Sequence, residues 1–207
     1  MEEKFKILIK AFLAGIMISI GGTIYLSLEN KIIGAFLFSI GLFMICVNGY
    51  NLYTGKIGYI IERKKGFVTE LIITLIGNFI GTVSSGLVLS KTRIYSSIKE
   101  VAEKICTIKI NDNLLSIFIL SLFCGMLMYL AVDLYKRKTD TGRYLGIFLG
   151  VTVFILAGFE HCVANMYYFT VADMWEGKTL LYVLIMILGN SVGSIIISKG
   201  HQLISDK

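Results

Sequence analysis

The chain has no proline among its 207 residues, only two histidines, one tryptophan, and 16% charged residues. Without proline, a break inside a helix has to come from glycine and from polar side chains. An ordinary soluble domain carries about 25% Asp, Glu, Lys and Arg, so the chain falls short of a normal wetted surface. No two of the four cysteines are spaced as C-x-x-C, which argues against a zinc site or a disulfide framework. Cys46, Cys124 and Cys162 lie in apolar runs and Cys106 in a polar stretch, and all four are read as small hydrophobes in a core. The net charge of +6 sits in short clusters between apolar runs, not along one folded face, which excludes a nucleic-acid binder.

Apolar residues are what the chain has in abundance: 56% of it is hydrophobic and its mean hydropathy is +0.77. That excludes disorder and marks an all-α integral membrane protein. Uncharged runs at 11–28, 32–55, 71–90, 113–132 and 179–198 each approach the ~20 residues of a membrane helix. A sixth run, 144–172, is interrupted by Glu160 and His161. Six spans make residues 1–207 one transmembrane domain in a lipid bilayer. The first run is long and no A-x-A site follows it, so it reads as a span and not a cleaved signal. Lys4, Lys6, Lys10, then Arg63, Lys64, Lys65, then Lys136, Arg137, Lys138, Arg143, and finally Lys199 and Lys207 fall in alternate connections. The positive-inside rule therefore puts both termini on the cytoplasmic side of the cell membrane.

Gly77-Asn78-Phe79-Ile80-Gly81-Thr82 and Gly189-Asn190-Ser191-Val192-Gly193-Ser194 share the pattern G-N-x-(I/V)-G-(T/S), 112 positions apart. At similar offsets, Gly15-Ile16-Met17-Ile18 resembles Gly125-Met126-Leu127-Met128, and Asn51-Leu52-Tyr53 resembles Asn165-Met166-Tyr167. Together they predict a duplicated three-span unit, about 7–90 and about 113–198. An odd number of spans per unit inverts one half, an arrangement that puts a pathway at the centre. The G-x-x-x-G pairs read as helix-packing faces. Asn78 and Asn190 read as bridges between helices, with pore lining as the alternative.

Two spans look broken. The second ends in Val47-Asn48-Gly49-Tyr50-Asn51-Leu52-Tyr53-Thr54-Gly55, polar and glycine-rich at membrane depth. Irregular backbone is tolerated there only inside protein or facing a water-filled cavity. The fifth carries Glu160 and His161, then Asn165, and an ionisable group within a span is a functional candidate by default.

Gly158-Phe159-Glu160-His161-Cys162-Val163-Ala164-Asn165-Met166 resembles the signature G-F-E-H-S-V-A-N-M of the formate/nitrite transporter family, with cysteine for serine. Leu52-Tyr53-Thr54-Gly55 is similar to that family's L-F-T-G loop. The resemblance runs through all six spans. It implies an aquaporin-like protomer with an inverted repeat and interrupted helices 2 and 5, assembled as a homopentamer with one pore per protomer. It implies that His161 is the central pore histidine, faced by Thr54. It makes Leu42, Leu52 and Phe154 apolar constrictions, with Phe38, one turn from Leu42, as a further ring. Lys109, sixteen residues before Gly125, resembles the vestibule lysine, and Glu160 and Asn165 join the substrate pathway. The chain departs from the family at Gly125, where many members have asparagine, and in lacking the proline common after the span-five motif.

A bare anion between apolar rings is costly, and a neutral weak acid is far cheaper to place there. The expected function is a channel or transporter for small monovalent weak-acid anions, formate first, with nitrite, hydrosulfide or a short monocarboxylate as alternatives. Lys109 attracts the anion, a proton meets it near His161, and Thr54 donates to it while Glu160 holds the broken helix. No cofactor or metal is expected, and no enzymatic activity: an intramembrane hydrolase needs a nucleophile and base or several metal ligands. A neutral-solute channel of the aquaporin class carries paired N-P-A motifs, impossible without proline. A non-transporting scaffold is distinguished by flux in proteoliposomes.

Overall fold

The computed structural model describes residues 1–62 and 66–205. Arg63, Lys64, Lys65 and Lys207, which the charge argument uses, lie outside the described residues. All regular elements among the described residues are helical. In order they are α1 (Glu2–Ser27), α2 (Lys31–Asn48), α3 (Tyr53–Lys56) running into a 3₁₀ turn (Ile57–Ile61), α4 (Phe67–Leu89), α5 (Tyr95–Asn111), α6 (Leu114–Arg137), α7 (Gly142–Leu156), α8 (Cys162–Val171) and α9 (Gly177–Ser205). Five of them, α1, α2, α4, α6 and α9, are long and apolar enough to cross a membrane. The sixth span is α7 followed by α8. Both interruptions fall where the sequence puts them, between α2 and α3 and between α7 and α8.

The bundle buries many small polar side chains within its apolar core and exposes large apolar ones. Ser39, Thr74, Asn78, Thr82, Ser121, Asn190, Ser194 and Ser198 are buried, while Ile72, Ile76, Leu87, Leu145, Leu149, Leu180, Leu184 and Leu188 are exposed. That distribution suits a hydrocarbon solvent, in which helices associate through small residues and interhelical hydrogen bonds. The multi-pass membrane assignment follows from it together with the span lengths.

The two halves pack in matching pairs. α1 packs on α4 as α6 packs on α9, α1 on α2 as α6 on α7, and α8 on α4 as the 3₁₀ turn on α9. The glycines match as well. A Cβ on Gly81 would lie 2.2 Å from the Phe12 carbonyl oxygen, and one on Gly193 would lie 1.9 Å from that of Leu122. Gly15 stands against Asn78 O and Gly125 against Asn190 O in the same way. The G-x-x-x-G faces are helix contacts, as expected.

The stretch 91–112, which joins the third and fourth uncharged runs, is mostly the helix α5. It buries Ile98, Ala102 and Cys106, four residues apart, and turns Glu100 and Lys104 outward. All four cysteines are free thiols, three of them fully buried.

Candidate functional site

The breaks are made by glycine. Gly49 ends α2 in the left-handed conformation (φ 63°), with its own N–H on Cys46 O and the Tyr50 N–H on Ile45 O. Gly158 does the same after α7 (φ 70°), with its N–H on Ile155 O and the Phe159 N–H on Phe154 O. Both are Schellman endings, which a residue with a Cβ resists. They stand 109 positions apart.

Each break is bracketed by one asparagine. Asn78 donates through Nδ2 to Ala11 O and Asn51 O, both at 2.8 Å, and accepts from the Tyr53 N–H at 2.9 Å. Asn190 donates to Ser121 O at 2.7 Å and Glu160 O at 2.8 Å, and accepts from the Cys162 N–H at 2.9 Å. Each asparagine ties the first helix of its half to a carbonyl inside the break and to the first N–H of the half-helix after it. The bridging reading of both holds. The bonds correct the repeat register: Asn51-Leu52-Tyr53 matches Glu160-His161-Cys162, not Asn165-Met166-Tyr167. The similar side chains misled because the equivalence lies in backbone conformation.

His161 is the residue on which α8 begins. Its Nδ1 accepts from the Ala164 N–H at 3.1 Å, so the neutral ring carries its proton on Nε2, which stands 2.8 Å from Thr54 Oγ1. The ring stacks on Phe154 with centroids 5.6 Å apart, and Phe154 meets Phe38 edge-on at 6.1 Å. Phe38, Leu42, Leu52 and Phe154 are buried in one apolar cluster. A cavity of about 120 Å³ lies on one side, lined by His161, Phe154, Lys109 and Asn165, with Tyr25 and Tyr168 as walls. A second cavity, of about 220 Å³, is lined by Leu52, Asn51, Lys56, Tyr135 and Lys136. The apolar cluster is thus bordered by both cavities, by the first at Phe154 and by the second at Leu52, and His161 lines the first. The walls Tyr25 and Tyr168 and the second cavity's Lys56 and Lys136 were missed: no motif marks the tyrosines, Lys56 lies just past the Leu52–Gly55 loop, and Lys136 was read only as loop charge.

Lys109 Nζ pairs with Glu160 Oε2 at 2.6 Å, and Asn165 Nδ2 donates to the same oxygen at 2.8 Å. The two charged side chains are 13% and 5% exposed. Asn165 Nδ2 also reaches His161 O at 3.0 Å, which fixes the amide orientation, and its buried Oδ1 has no partner among the described residues. Gly125 has a packing reason: a Cβ there would fall 2.2 Å from Asn190 O, so no side chain fits between α6 and α9.

The model of the formate/nitrite transporter family matches residues 2–201. The chain belongs to that family. A formate-nitrite transporter of Plasmodium knowlesi is 27% identical over 209 residues, covering 83% of this chain and 65% of the relative. The formate channel FocB of Escherichia coli is 25% identical, covering 80% and 66%. The chain thus spans about two thirds of the length of these curated relatives. A solved pentameric formate channel with formate bound superposes with a TM-score of 0.82 at 23% identity, covering 100% of this chain and 99% of that one. A solved ion channel of the same family gives 0.80 at 22% identity. This is the fold expected from the sequence, and every residue singled out by resemblance to the family lies in or beside the buried cluster and its first cavity.

Proposed function

We propose that this chain carries small monovalent weak-acid anions across the cell membrane, with formate as the first candidate and nitrite and hydrosulfide next. The observation that carries the reading is the His161–Thr54 pair, beside an apolar cluster that two cavities border. Lys109 draws the anion to the first cavity, while its pairing with Glu160 leaves no uncompensated charge to trap it. Asn165 Oδ1, an acceptor in want of a hydrogen, suits a substrate that has taken up a proton more than a bare anion. The neutral acid then passes Phe154, Phe38, Leu42 and Leu52 at far lower cost than its anion. His161 serves as a neutral hydrogen-bond donor with Thr54, since its other ring nitrogen is engaged by the start of α8. The names of the relatives and of the solved neighbour, formate channels among them, favour formate and a homopentamer. Residues 1–207 act as one transmembrane unit, repeats about 7–90 and 113–198, with both termini cytoplasmic.

The test is a flux panel in proteoliposomes with formate, nitrite, hydrosulfide and chloride over a range of external pH. Weak-acid flux rising as the pH falls, with chloride poorly handled, supports the reading. Equal passage of chloride, or flux no greater than in protein-free vesicles, overturns it. Native mass spectrometry at five times the 23.1 kDa chain mass tests the pentamer.

A further inference from the structure

Asp133 is a buried carboxylate without a place in the pathway described above. It sits one turn before the end of α6, 5% exposed, and joins three elements. Tyr59 Oη, from the 3₁₀ turn, donates to its Oδ1 at 3.1 Å. Arg137, one turn further along α6, reaches its Oδ2 at 2.7 Å and donates through Nη2 to Nδ1 of His201 on α9 at 2.8 Å. That imidazole nitrogen lies 3.4 Å from the same Oδ2. Lys136 Nζ stands 3.9 Å over the Tyr59 ring, and the Tyr129 ring packs on Tyr59 at 5.2 Å. Gly58 lets the turn lie flush on α6, since a Cβ there would fall 2.3 Å from the Tyr129 ring.

A carboxylate withdrawn from water is costly and is kept where it holds something. What Asp133 holds is the far end of the segment that carries Thr54, five residues before Tyr59. α3 has only four residues and no side-chain cap, too few to keep its place through its own hydrogen bonds. Asn78 fixes its start, and Tyr59 on Asp133 fixes its end. The inverted half holds the end of its half-helix in another way. There α8 has ten residues and the His161 cap, and its end is tied by the Tyr95 hydroxyl to Val171 O and by the Trp175 indole N–H to Thr170 Oγ1. A 3₁₀ turn rises about 2 Å per residue, so the register of Tyr59 against Asp133 acts on Thr54 together with the ties of Tyr53 to Asn78 and Ser191 and of Lys56 to Glu70.

We infer that Asp133 is a positioning residue for the pore: by holding the Tyr59 hydroxyl it keeps Thr54 Oγ1 on His161. The inference rests on the reading of Thr54 and His161 as the centre of the pathway. It assigns Asp133 no contact with the substrate.

The experiment is a mutant cycle read by flux per assembled oligomer. Tyr59→Phe removes the hydroxyl and leaves the ring on Tyr129. Formate flux should fall about three- to tenfold, on the scale of one hydrogen bond, and the formate-to-chloride ratio should fall with it. Asp133→Asn keeps an acceptor for Tyr59 and should stay within about twofold of wild type. Asp133→Leu should match Tyr59→Phe, and combining the two should lower flux no further. If Asp133→Leu does not assemble, the contrast between Tyr59→Phe and Asp133→Asn still decides. Unchanged flux and selectivity in Tyr59→Phe overturns the inference and makes Asp133 an anchor of the fold alone. Thr54→Val in the same assay separates the two readings. If it behaves as wild type, the centre of the pathway is misassigned and the inference falls with it. If it changes flux and selectivity while Tyr59→Phe changes neither, only the role of Asp133 falls.

Discussion

Leu52 and His161 occupy the same place in the two inverted halves. Each is the extended residue between an asparagine-bracketed carbonyl and the half-helix that follows, with φ −104° and ψ 129° at Leu52 and φ −96° and ψ 114° at His161. The Asn51 N–H reaches Lys10 O just as the Glu160 N–H reaches Leu120 O, so even the preceding residues are fixed alike. One backbone device is thus used twice with different side chains. In one half it presents an apolar group bordering the larger cavity, in the other a hydrogen-bonding ring bordering the smaller. On the proposed pathway a neutral solute would pass both, and a hydrated ion would fit neither well.

The apolar member of that pair is expected to act as a barrier. Leu52→Ala or Phe154→Ala removes a large side chain from the buried cluster, which should raise anion flux and lower discrimination among anions in vesicles. Unchanged selectivity in a folded Leu52→Ala, Phe154→Ala double variant would mean that both are packing residues only.

The helix contacts give a prediction independent of transport. Gly193→Ala puts a Cβ 1.9 Å from Leu122 O and 2.8 Å from its carbonyl carbon, against backbone that has to move. Overpacking of this kind costs about 1–3 kcal/mol, visible as a lower thermal midpoint or loss of the assembled species in detergent. Gly200→Ala meets nothing within 4 Å in the same helix and gains helix propensity, so it should be neutral or stabilising by up to about 1 kcal/mol. Equal midpoints for the two variants would contradict the close approach of α6 and α9.

Most of this architecture was legible in the sequence because each feature leaves a local mark. Spans appear as apolar runs, and the absence of proline leaves the breaks to glycine and polar residues, as at Gly49 and Gly158, where helices end in the left-handed conformation. The bridging role of Asn78 and Asn190 followed from a motif repeated at one offset. Three features were not legible. In α5 the buried stripe Ile98, Ala102, Cys106 was masked by Lys99, Glu100, Glu103 and Lys104, which lower the hydropathy of a helix that has one apolar face. The match of Asn51 to Glu160 was hidden because both positions are set by main-chain bonds that do not depend on the side chain. The Asp133 cluster was overlooked for a related reason: its members are spread over positions 59, 133, 137 and 201.

The Lys109–Glu160 pair gives the next prediction. Removing one member leaves the other buried and uncompensated, at a cost of about 3–5 kcal/mol. Lys109→Met should therefore lower both the thermal midpoint and the flux of every anion tested. Glu160→Gln keeps an oxygen for Asn165 but frees the ammonium from its counterion. Anion capture should then tighten, read as a lower half-saturating concentration, while chloride becomes a better competitor against formate. If chloride competition is the same in Glu160→Gln as in wild type, the pair does not tune the charge of the first cavity.

The last prediction separates the two jobs of His161, which starts α8 through Nδ1 and holds Thr54 through Nε2. His161→Phe keeps a ring for Phe154 to stack on but has neither nitrogen. Flux should fall to background, the oligomer should persist, and the loss of the cap should lower stability by about 1 kcal/mol. His161→Asn keeps the first job, since asparagine is among the best residues at a helix start, but its shorter amide withdraws from Thr54 and from Phe154. Its stability should stay near wild type, while anions should pass without the preference for weak acids. The flux of formate against chloride, followed over external pH for wild type and both variants, reads the difference. If His161→Asn retains both the wild-type pH profile and the weak-acid preference, the imidazole is dispensable to selection. The discrimination would then have to come from the charge of Lys109 and from protonation in bulk water.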